Sequence, residues 1–250
     1  MDCRVKPGND NKEDSFVSTI KVLSAGAVQS MVMALGQEFE RASGHTLNLI
    51  FNTAGSLRER IAGGESADLV ILSESLIASL DKPGMFVPGS ITNLGRTVTG
   101  VAVREGSPVP DISTPEAFKQ ALLKAKTVAY TDPKAGGSGG IMFAAMLERL
   151  GIAAEVNKKA VLGKRGTEVA QSIAEGRAEI GTTFISEVLP VKGVKVVGPL
   201  PGELHTANTY TAAIPAGSAS RAAATVLLRA LTDPATRARW TAAGLEPAFR

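Results

Sequence analysis

Hydrophobic positions follow two alternating periods along the chain from Thr19 onward. Short runs of β-branched and other apolar residues predict strands, and each is followed by apolar residues at helical spacing. Ile20 to Leu23 predicts the first strand, and the helix after it has its apolar positions at Val28, Met31, Val32, Leu35 and Phe39. Gly44 predicts the end of that helix, since glycine readily adopts the left-handed conformation of a helix cap. This alternation predicts an α/β protein with a mostly parallel sheet and helices on both faces.

The same periodicity continues to the end of the sequence. It predicts further strands at residues 46–51, 68–72, 94–103, 127–130, 180–183, 194–197 and 208–214. It predicts helices at residues 56–64, 73–80, 140–150, 168–175, 219–231 and 234–243, and one more that begins at Thr114-Pro115-Glu116. Pro115 suits the first turn of a helix, where its missing N–H group would have no partner.

The middle of the chain, from about Gly100 to Gly202, forms a complete α/β unit flanked by two extended stretches at residues 94–101 and 203–210. We interpret these stretches as hinge crossings between two lobes. Lobe 1 then comprises residues 19–97 and 206–250, and lobe 2 comprises residues 98–205. The alternative is one continuous doubly wound sheet. The polar residues 1–18 are expected to be a disordered extension without a functional role.

Composition excludes several classes of function. Aromatic residues make up 4% of the chain, which argues against base stacking, and the net charge of +3 includes no run of five or six like charges. One cysteine and two histidines favour neither a disulfide nor a zinc site. We therefore expect no metal, no cofactor and no nucleic-acid partner. No apolar run is long enough to span a membrane, and residues 1–19 contain no apolar leader segment.

Four loops rich in small and hydroxyl-bearing residues come directly after predicted strands. They are residues 23–27, 52–56, 131–140 and 164–167. In open α/β sheets the loops at the carboxyl ends of strands face the ligand crevice, and helix N-termini there attract anions. Any one of these loops could equally be an ordinary cap or turn. The glycine run 136–140 lacks the Lys-Ser or Lys-Thr of a phosphate loop, so nucleotide binding is not favoured.

Charged residues in or near these loops are candidates for contact with an anion. They are Arg58, Lys134, Lys164 and Arg165. Arg165 is the foremost of them because it precedes a helix and its guanidinium offers a planar fork to a carboxylate or oxyanion. Nucleophilic catalysis has little support, because the chain has no GxSxG motif and its one thiol, Cys3, lies in the polar extension.

The loops and strands together resemble the molybdate-binding proteins, which are the periplasmic receptors of molybdate ABC transporters. The resemblance covers residues 20–249. The segments that carry it are Ile20-Lys21-Val22-Leu23-Ser24-Ala25, Phe51-Asn52-Thr53-Ala54-Gly55-Ser56-Leu57, Ala67-Asp68-Leu69-Val70, Thr131-Asp132-Pro133, Ile180-Gly181-Thr182-Thr183-Phe184 and Gly193-Val194-Lys195-Val196-Val197. It implies a periplasmic-binding-protein type II fold, in which two α/β lobes are joined by two extended hinge crossings. It also implies that hydroxyls, backbone N–H groups and helix N-termini hold the ligand.

The sequence departs from this family at the expected ligand site. Ala27 stands where a serine is usual, Phe184 where a tyrosine is usual, and Arg165 where an acidic residue is usual. The second loop, which usually has a run of serines, includes Ala54. We therefore expect weaker molybdate binding and a preference for a small carboxylate. The expected ligand-binding residues are Ala25, Gly26, Ala27, Thr53, Ala54, Gly55, Ser56, Gly139, Arg165, Gly166 and Phe184.

Three functions remain in competition. The first is a periplasmic solute-binding protein that captures a small anion and, as a monomer, delivers it to the membrane permease of an ABC transporter. The second is an isomerase of a small tricarboxylate on the same scaffold, similar to aconitate isomerase, for which Lys164, His205 and Lys134 are the candidate bases. The third is a cytoplasmic ligand-sensing module, which the lack of a leader segment in this sequence would suit.

Overall fold

The computed structural model describes residues 17–249. Within them, the strands are β1 (Thr19–Ala25), β2 (Thr46–Asn52), β3 (Leu69–Ser73), β4 (Thr92–Arg104), β5 (Val128–Thr131), β6 (Ala160–Gly163), β7 (Ile180–Phe184), β8 (Val194–Pro199), β9 (Ala207–Ala213) and β10 (Glu246–Pro247). The α-helices are α1 (Gln29–Ser43), α2 (Ala54–Ala62), α3 (Glu74–Leu80), α4 (Pro115–Lys124), α5 (Ser138–Arg149), α6 (Ala153–Asn157), α7 (Gly166–Ala174), α8 (Ile185–Val188), α9 (Arg221–Leu231) and α10 (Arg237–Ala242).

The sheet of the first lobe has the strand order β2-β1-β3-β9-β4, and β10 also pairs with β4. Strand β3 is buried along its whole length, in keeping with its apolar run Leu69–Leu72. Helix α1 buries its apolar stripe against this sheet and ends at Gly44, whose φ of 75° confirms the predicted left-handed cap. Helices α9 and α10 share one hydrophobic core with β1 and α1, so the end of the chain returns to the lobe that contains Ile20.

The second lobe continues from β4 in the order β4-β7-β5-β6, and β8 also pairs with β4. Its core has two parts, one on each side of the strands. Phe118, Leu122, Phe143 and Leu147 from α4 and α5 fill one side, and Val169, Ala170 and Ile173 from α7 lie on the other. Helices therefore cover both faces of this lobe, as the alternating pattern predicts.

Strand β4 passes through both lobes. Its residues 92–98 pair with β9, and its residues 99–104 pair with β7 and β8. The second crossing lies beside it, because Thr99 N donates to Thr206 O (3.0 Å) and the Thr206 hydroxyl donates to the Thr99 hydroxyl (2.9 Å). All the strands are thus linked through β4, yet their side chains form separate cores. The fold is a two-lobed α/β type with two extended crossings.

The prediction of a mostly parallel sheet was wrong in part. The pairs β1–β2, β1–β3, β5–β6 and β5–β7 are parallel, but β4 and β9 run antiparallel to all the strands they pair with. These two strands carry the crossings, so they do not belong to βαβ units. Strand β10 and helices α6 and α8 were also missed, because they are too short for a periodic pattern, and the four-residue strand β6 was missed as well. The predicted disordered extension falls largely on residues 1–16, outside the described residues.

Candidate functional site

A small cavity lies where the two lobes meet. The volume open to water centres inside it is about 30 Å³, which holds a few water molecules. Its walls come from the carboxyl ends of β1, β2, β5 and β7 and from the helices that begin there. The lining residues are Ala25, Gly26, Ala27, Asn52, Thr53, Ala54, Thr131, Gly137, Ser138, Gly139, Arg165, Gly166, Phe184, Glu187 and Tyr210.

Nine of the eleven residues expected at the site line this cavity. Gly55 and Ser56 do not line it. The loops of Ala27 and Thr53 face the loop of Arg165, which is the arrangement that the four strand ends predict. Their role in ligand binding stays a prediction. The candidate bases Lys134, Lys164 and His205 are exposed, as is Arg58, and none of the four lines the cavity.

The start of α2 contacts the opposite lobe. Thr53 caps α2 by accepting from Ser56 N (3.3 Å), and its hydroxyl also donates to Ala135 O (2.7 Å). Gly55 N donates to Gly136 O (3.1 Å). A Cβ at position 55 would lie 2.6 Å from Gly136 O, so only glycine fits this approach without a shift. The loop at residues 53–56 therefore both borders the cavity and joins the lobes.

Arg165 lies at the N-terminus of α7, where its half-exposed side chain borders the cavity. Its Nε donates to Glu168 Oε1 (3.2 Å) within the same helix turn. The other oxygen of Glu168 accepts from Lys164 N (2.9 Å), so this carboxylate holds the loop in place. This contact uses Nε of the guanidinium and does not engage its terminal nitrogens.

Glu187 is a buried carboxyl in the cavity wall that the sequence analysis missed. It lies on α8, just after the end of β7, and accepts from the Thr183 hydroxyl (2.8 Å) and from the N–H groups of Gly166 and Phe184. Burial raises the pKa of Glu187, although these donors and the nearby Arg165 guanidinium oppose the rise. A helix of four residues gives no periodic signal, so the sequence does not reveal that this glutamate points inward.

Tyr210 supplies a phenol to the same wall. Its ring meets the ring of Phe184 edge to face, with centroids 6.2 Å apart. The hydroxyl interacts with Ser138 and Asn208, and the Asn208 amide donates to the Ser138 hydroxyl (3.1 Å). Burial, followed by the charge of Glu187, raises the pKa of Tyr210. A tyrosine from β9 thus borders the cavity, although position 184 is a phenylalanine. Tyr210 reaches the cavity only because the chain returns through the second crossing, so the local sequence does not predict its position there.

Residues 17–249 contain no cluster of three or more His, Cys, Asp or Glu side chains able to hold a metal ion. Over the same residues, no helix has the length and apolar character needed to cross a bilayer. The residues that line the cavity supply one guanidinium, one carboxyl, several hydroxyls, the Asn52 amide and backbone N–H groups.

Comparison with known proteins identifies the scaffold. The profile described as bacterial extracellular solute-binding protein matches residues 20–246. The chain belongs to this family. An aconitate isomerase from Pseudomonas sp is 30% identical over 236 residues, which cover 92% of this chain and 88% of that protein. The molybdate-binding protein ModA of Escherichia coli is 22% identical over 200 residues, covering 79% of this chain and 77% of ModA.

The structure of the periplasmic molybdate-binding protein of Azotobacter vinelandii superposes with a TM-score of 0.71 at 20% identity. The alignment covers 90% of this chain and 98% of that one. This likeness confirms the expected type II binding-protein fold. Members of the solute-binding family typically lie outside the cytoplasm, bind small ligands and work with ABC transporter permeases.

Proposed function

We propose that this protein captures a small carboxylate anion between its lobes, which must part to admit it because the cavity in this structure holds only a few waters. The observation that carries the proposal is the convergence of Arg165 with the N-termini of α2, α5 and α7 on one small cavity. A helix N-terminus carries a partial positive charge, and this charge remains where its N–H groups have acceptors, as Gly55 N and Ser56 N of α2 do. One guanidinium and three such termini around a cavity form an environment that favours an anion.

A carboxylate suits this cavity better than a tetrahedral oxyanion. Ala27, Ala54 and Phe184 line the wall without hydroxyl groups, so an oxyanion such as molybdate would have fewer side-chain donors. Each hydrogen bond missing from a buried oxygen costs about 1–3 kcal/mol. Arg165 can instead give a carboxylate two parallel charge-assisted bonds.

Titration calorimetry on the wild type and on two variants tests this proposal. We expect citrate or aconitate to bind more tightly than molybdate. Arg165→Ala should weaken carboxylate binding by about 10-fold or more, and Arg165→Lys should recover part of it, because lysine keeps the charge without the fork. Arg58→Ala is the matched control, since Arg58 is exposed and away from the cavity. Tight molybdate binding that is indifferent to Arg165→Ala would contradict the proposal.

The family supports a role as the extracytoplasmic receptor of an ABC transporter. We propose that a permease takes up the ligand when the lobes part, and that the protein works as a monomer with its lobes divided near residues 98 and 206. Light scattering coupled to gel filtration at several concentrations tests whether the protein is a monomer. A mass of twice 25.9 kDa, unchanged on dilution, would contradict it.

A second candidate function is the isomerisation of a small unsaturated tricarboxylate. One observation favours it: the cavity that would receive the ligand holds a buried carboxyl, Glu187, whose raised pKa suits proton transfer. The 30% identity to an aconitate isomerase supports the same idea. Incubating the purified protein with cis-aconitate and separating the products by chromatography tests it. Tight aconitate binding without conversion would contradict the isomerase function and support the receptor function.

A further inference from the structure

We propose that Glu187 is the acid–base residue of the cavity, which carries a proton between two carbon atoms of an allylic polycarboxylate. This proposal rests on the isomerase function put forward above. It replaces the exposed lysines and histidine that the sequence suggested as bases. A residue that transfers a proton must lie within reach of the ligand, and among the described residues with a carboxylate, imidazole or amine, Glu187 alone lines the cavity.

The surroundings of Glu187 fix its carboxyl group in one orientation. Its Oε2 accepts from the Thr183 hydroxyl (2.8 Å), and the Gly166 and Phe184 N–H groups also donate to the carboxyl. Its Oε1 faces Gly26 on the other lobe, where an added Cβ would lie 3.5 Å away. One oxygen is thus held by lobe 2, while the other lies on the side where the lobes meet.

Two glycines give the carboxyl its access to the cavity. A Cβ on Gly166 would lie 1.9 Å from Glu187 Oε2 and 2.2 Å from the Thr183 hydroxyl, so position 166 must be glycine for the carboxyl to lie against the start of α7. Gly26, on the opposite wall, leaves the space in front of Oε1 free of a side chain. Both glycines border the cavity and have no evident need for a special backbone angle there.

The charge balance around Glu187 suits a base. Burial makes its carboxylate more basic than a glutamate in water, and Arg165 is the neighbouring charge that opposes this effect. Tyr210 is the other titratable group that interacts with it, and the pKa of Tyr210 is raised, so the phenol stays neutral. A carboxylate that is easily protonated can take a proton from carbon and return it without any other base.

The reaction balances with this one group. In a propene tricarboxylate, the Glu187 carboxylate takes a proton from the methylene carbon, the C–H bond breaks, and its electron pair spreads over the allyl system into the adjoining carboxylates. The same carboxyl then returns the proton to the carbon at the other end of the former double bond. The double bond now joins the central carbon to the former methylene carbon. No proton or electron is gained or lost.

The developing negative charge would lie against positive groups already described. Arg165 and the N-terminus of α7 border the same cavity as Glu187. Donors that are fixed before reaction stabilise charge where it develops. Rotation about the single bond to the methylene group, before the proton is removed, decides whether the product is cis or trans. A molecule that lacks a methylene next to both a double bond and a carboxylate would bind without reacting.

The test compares the wild type with Glu187→Gln, Glu187→Asp and Glu155→Gln. Glutamine keeps the size of the side chain and an oxygen that can accept from Thr183, but it cannot carry the proton. We expect Glu187→Gln to lose at least about 100-fold in kcat while still binding aconitate. Glu187→Asp should keep part of the activity. Glu155→Gln should match the wild type, because Glu155 is exposed on α6.

A second measurement reports the proton transfer itself. In D₂O, the wild type should exchange deuterium into the methylene position of unreacted aconitate or of the product, and Glu187→Gln should not. The wild-type kcat should rise with pH as the carboxyl loses its proton, and this step should be absent from the residual activity of Glu187→Gln. Wild-type protein that binds aconitate without conversion or exchange would overturn the isomerase function and this assignment with it. Wild-type isomerisation together with a fully active Glu187→Gln would overturn the assignment alone.

Discussion

Replacing Gly55 with alanine should weaken the closure of the two lobes without destabilising the fold of either lobe. An added Cβ would lie 2.6 Å from Gly136 O and 3.2 Å from two other backbone atoms of that residue, so the opposite lobe would have to move away. The shift would break the Gly55 N to Gly136 O bond and stretch the bond from the Thr53 hydroxyl to Ala135 O. Each is worth about 0.5–1.5 kcal/mol. Closure should therefore weaken by about 1–3 kcal/mol, or about 5- to 150-fold.

The same substitution should not unfold the protein. Position 55 is the second residue of α2, and alanine stabilises a helix interior relative to glycine by about 0.5–1 kcal/mol. Apparent affinity falls in proportion to the closed fraction. We thus expect weaker binding of the tightest ligand by calorimetry and a larger radius of gyration by small-angle scattering, without a fall in the unliganded midpoint of thermal unfolding.

Gly217→Ala is the control for this experiment, because no atom lies within 4 Å of a Cβ added there. It should leave affinity and shape unchanged. If Gly55→Ala binds its ligand as the wild type does and keeps the same radius of gyration, the contact at Gly136 has no part in closure. If Gly55→Ala instead unfolds in the absence of ligand, the contact at Gly136 is needed for folding and not only for closure.

Three further predictions concern stability. Asp68→Asn should lower the free energy of unfolding by about 1–3 kcal/mol in urea titrations, because Asp68 accepts from Lys21 N, Ser218 Oγ and Ser220 N; an unchanged midpoint would count against this. Burial raises the pKa of Glu187 in the folded protein, so its contribution to the free energy of unfolding should fall as pH rises from about 4.5 towards that folded pKa. Glu187→Gln should flatten this part of the profile of thermal stability against pH. Trp240→Phe should cost about 1–3 kcal/mol in the same urea titrations, because the fully buried indole donates to Leu231 O (3.1 Å); equal midpoints would refute it.

The scaffold could be predicted from sequence because its elements are long and locally marked. Residues close together in sequence determine the apolar stripe of α1 and its cap at Gly44. The same holds for the start of α4 at Thr114 and Pro115. The strand-end loops could be brought together in advance because the carboxyl ends of strands share one edge in this kind of sheet. That argument placed Ala27, Thr53 and Arg165 around one cavity.

The chemistry of the cavity could not be predicted in the same way. Glu187 is indistinguishable in sequence from the surface glutamates, and its burial depends on packing between α8, α7 and β7. Tyr210 reaches the cavity from β9, which arrives only through the second crossing. Gly55 looked like a ligand residue, but its close approach to Gly136 is a contact between lobes that are far apart in sequence. Long-range contacts of this kind leave no local pattern.

The sharing of β4 between the lobes, with β9 joining the first lobe late in the chain, also sets an order for folding during synthesis. Residues 99–206 hold every strand of the second lobe, so this lobe can assemble before the rest of the chain has left the ribosome. The first lobe lacks β9, α9 and α10 until residues 207–249 emerge, and its strand β3 meanwhile presents an open edge. Chains truncated near residue 206 should therefore contain one folded lobe and one exposed, association-prone half-sheet.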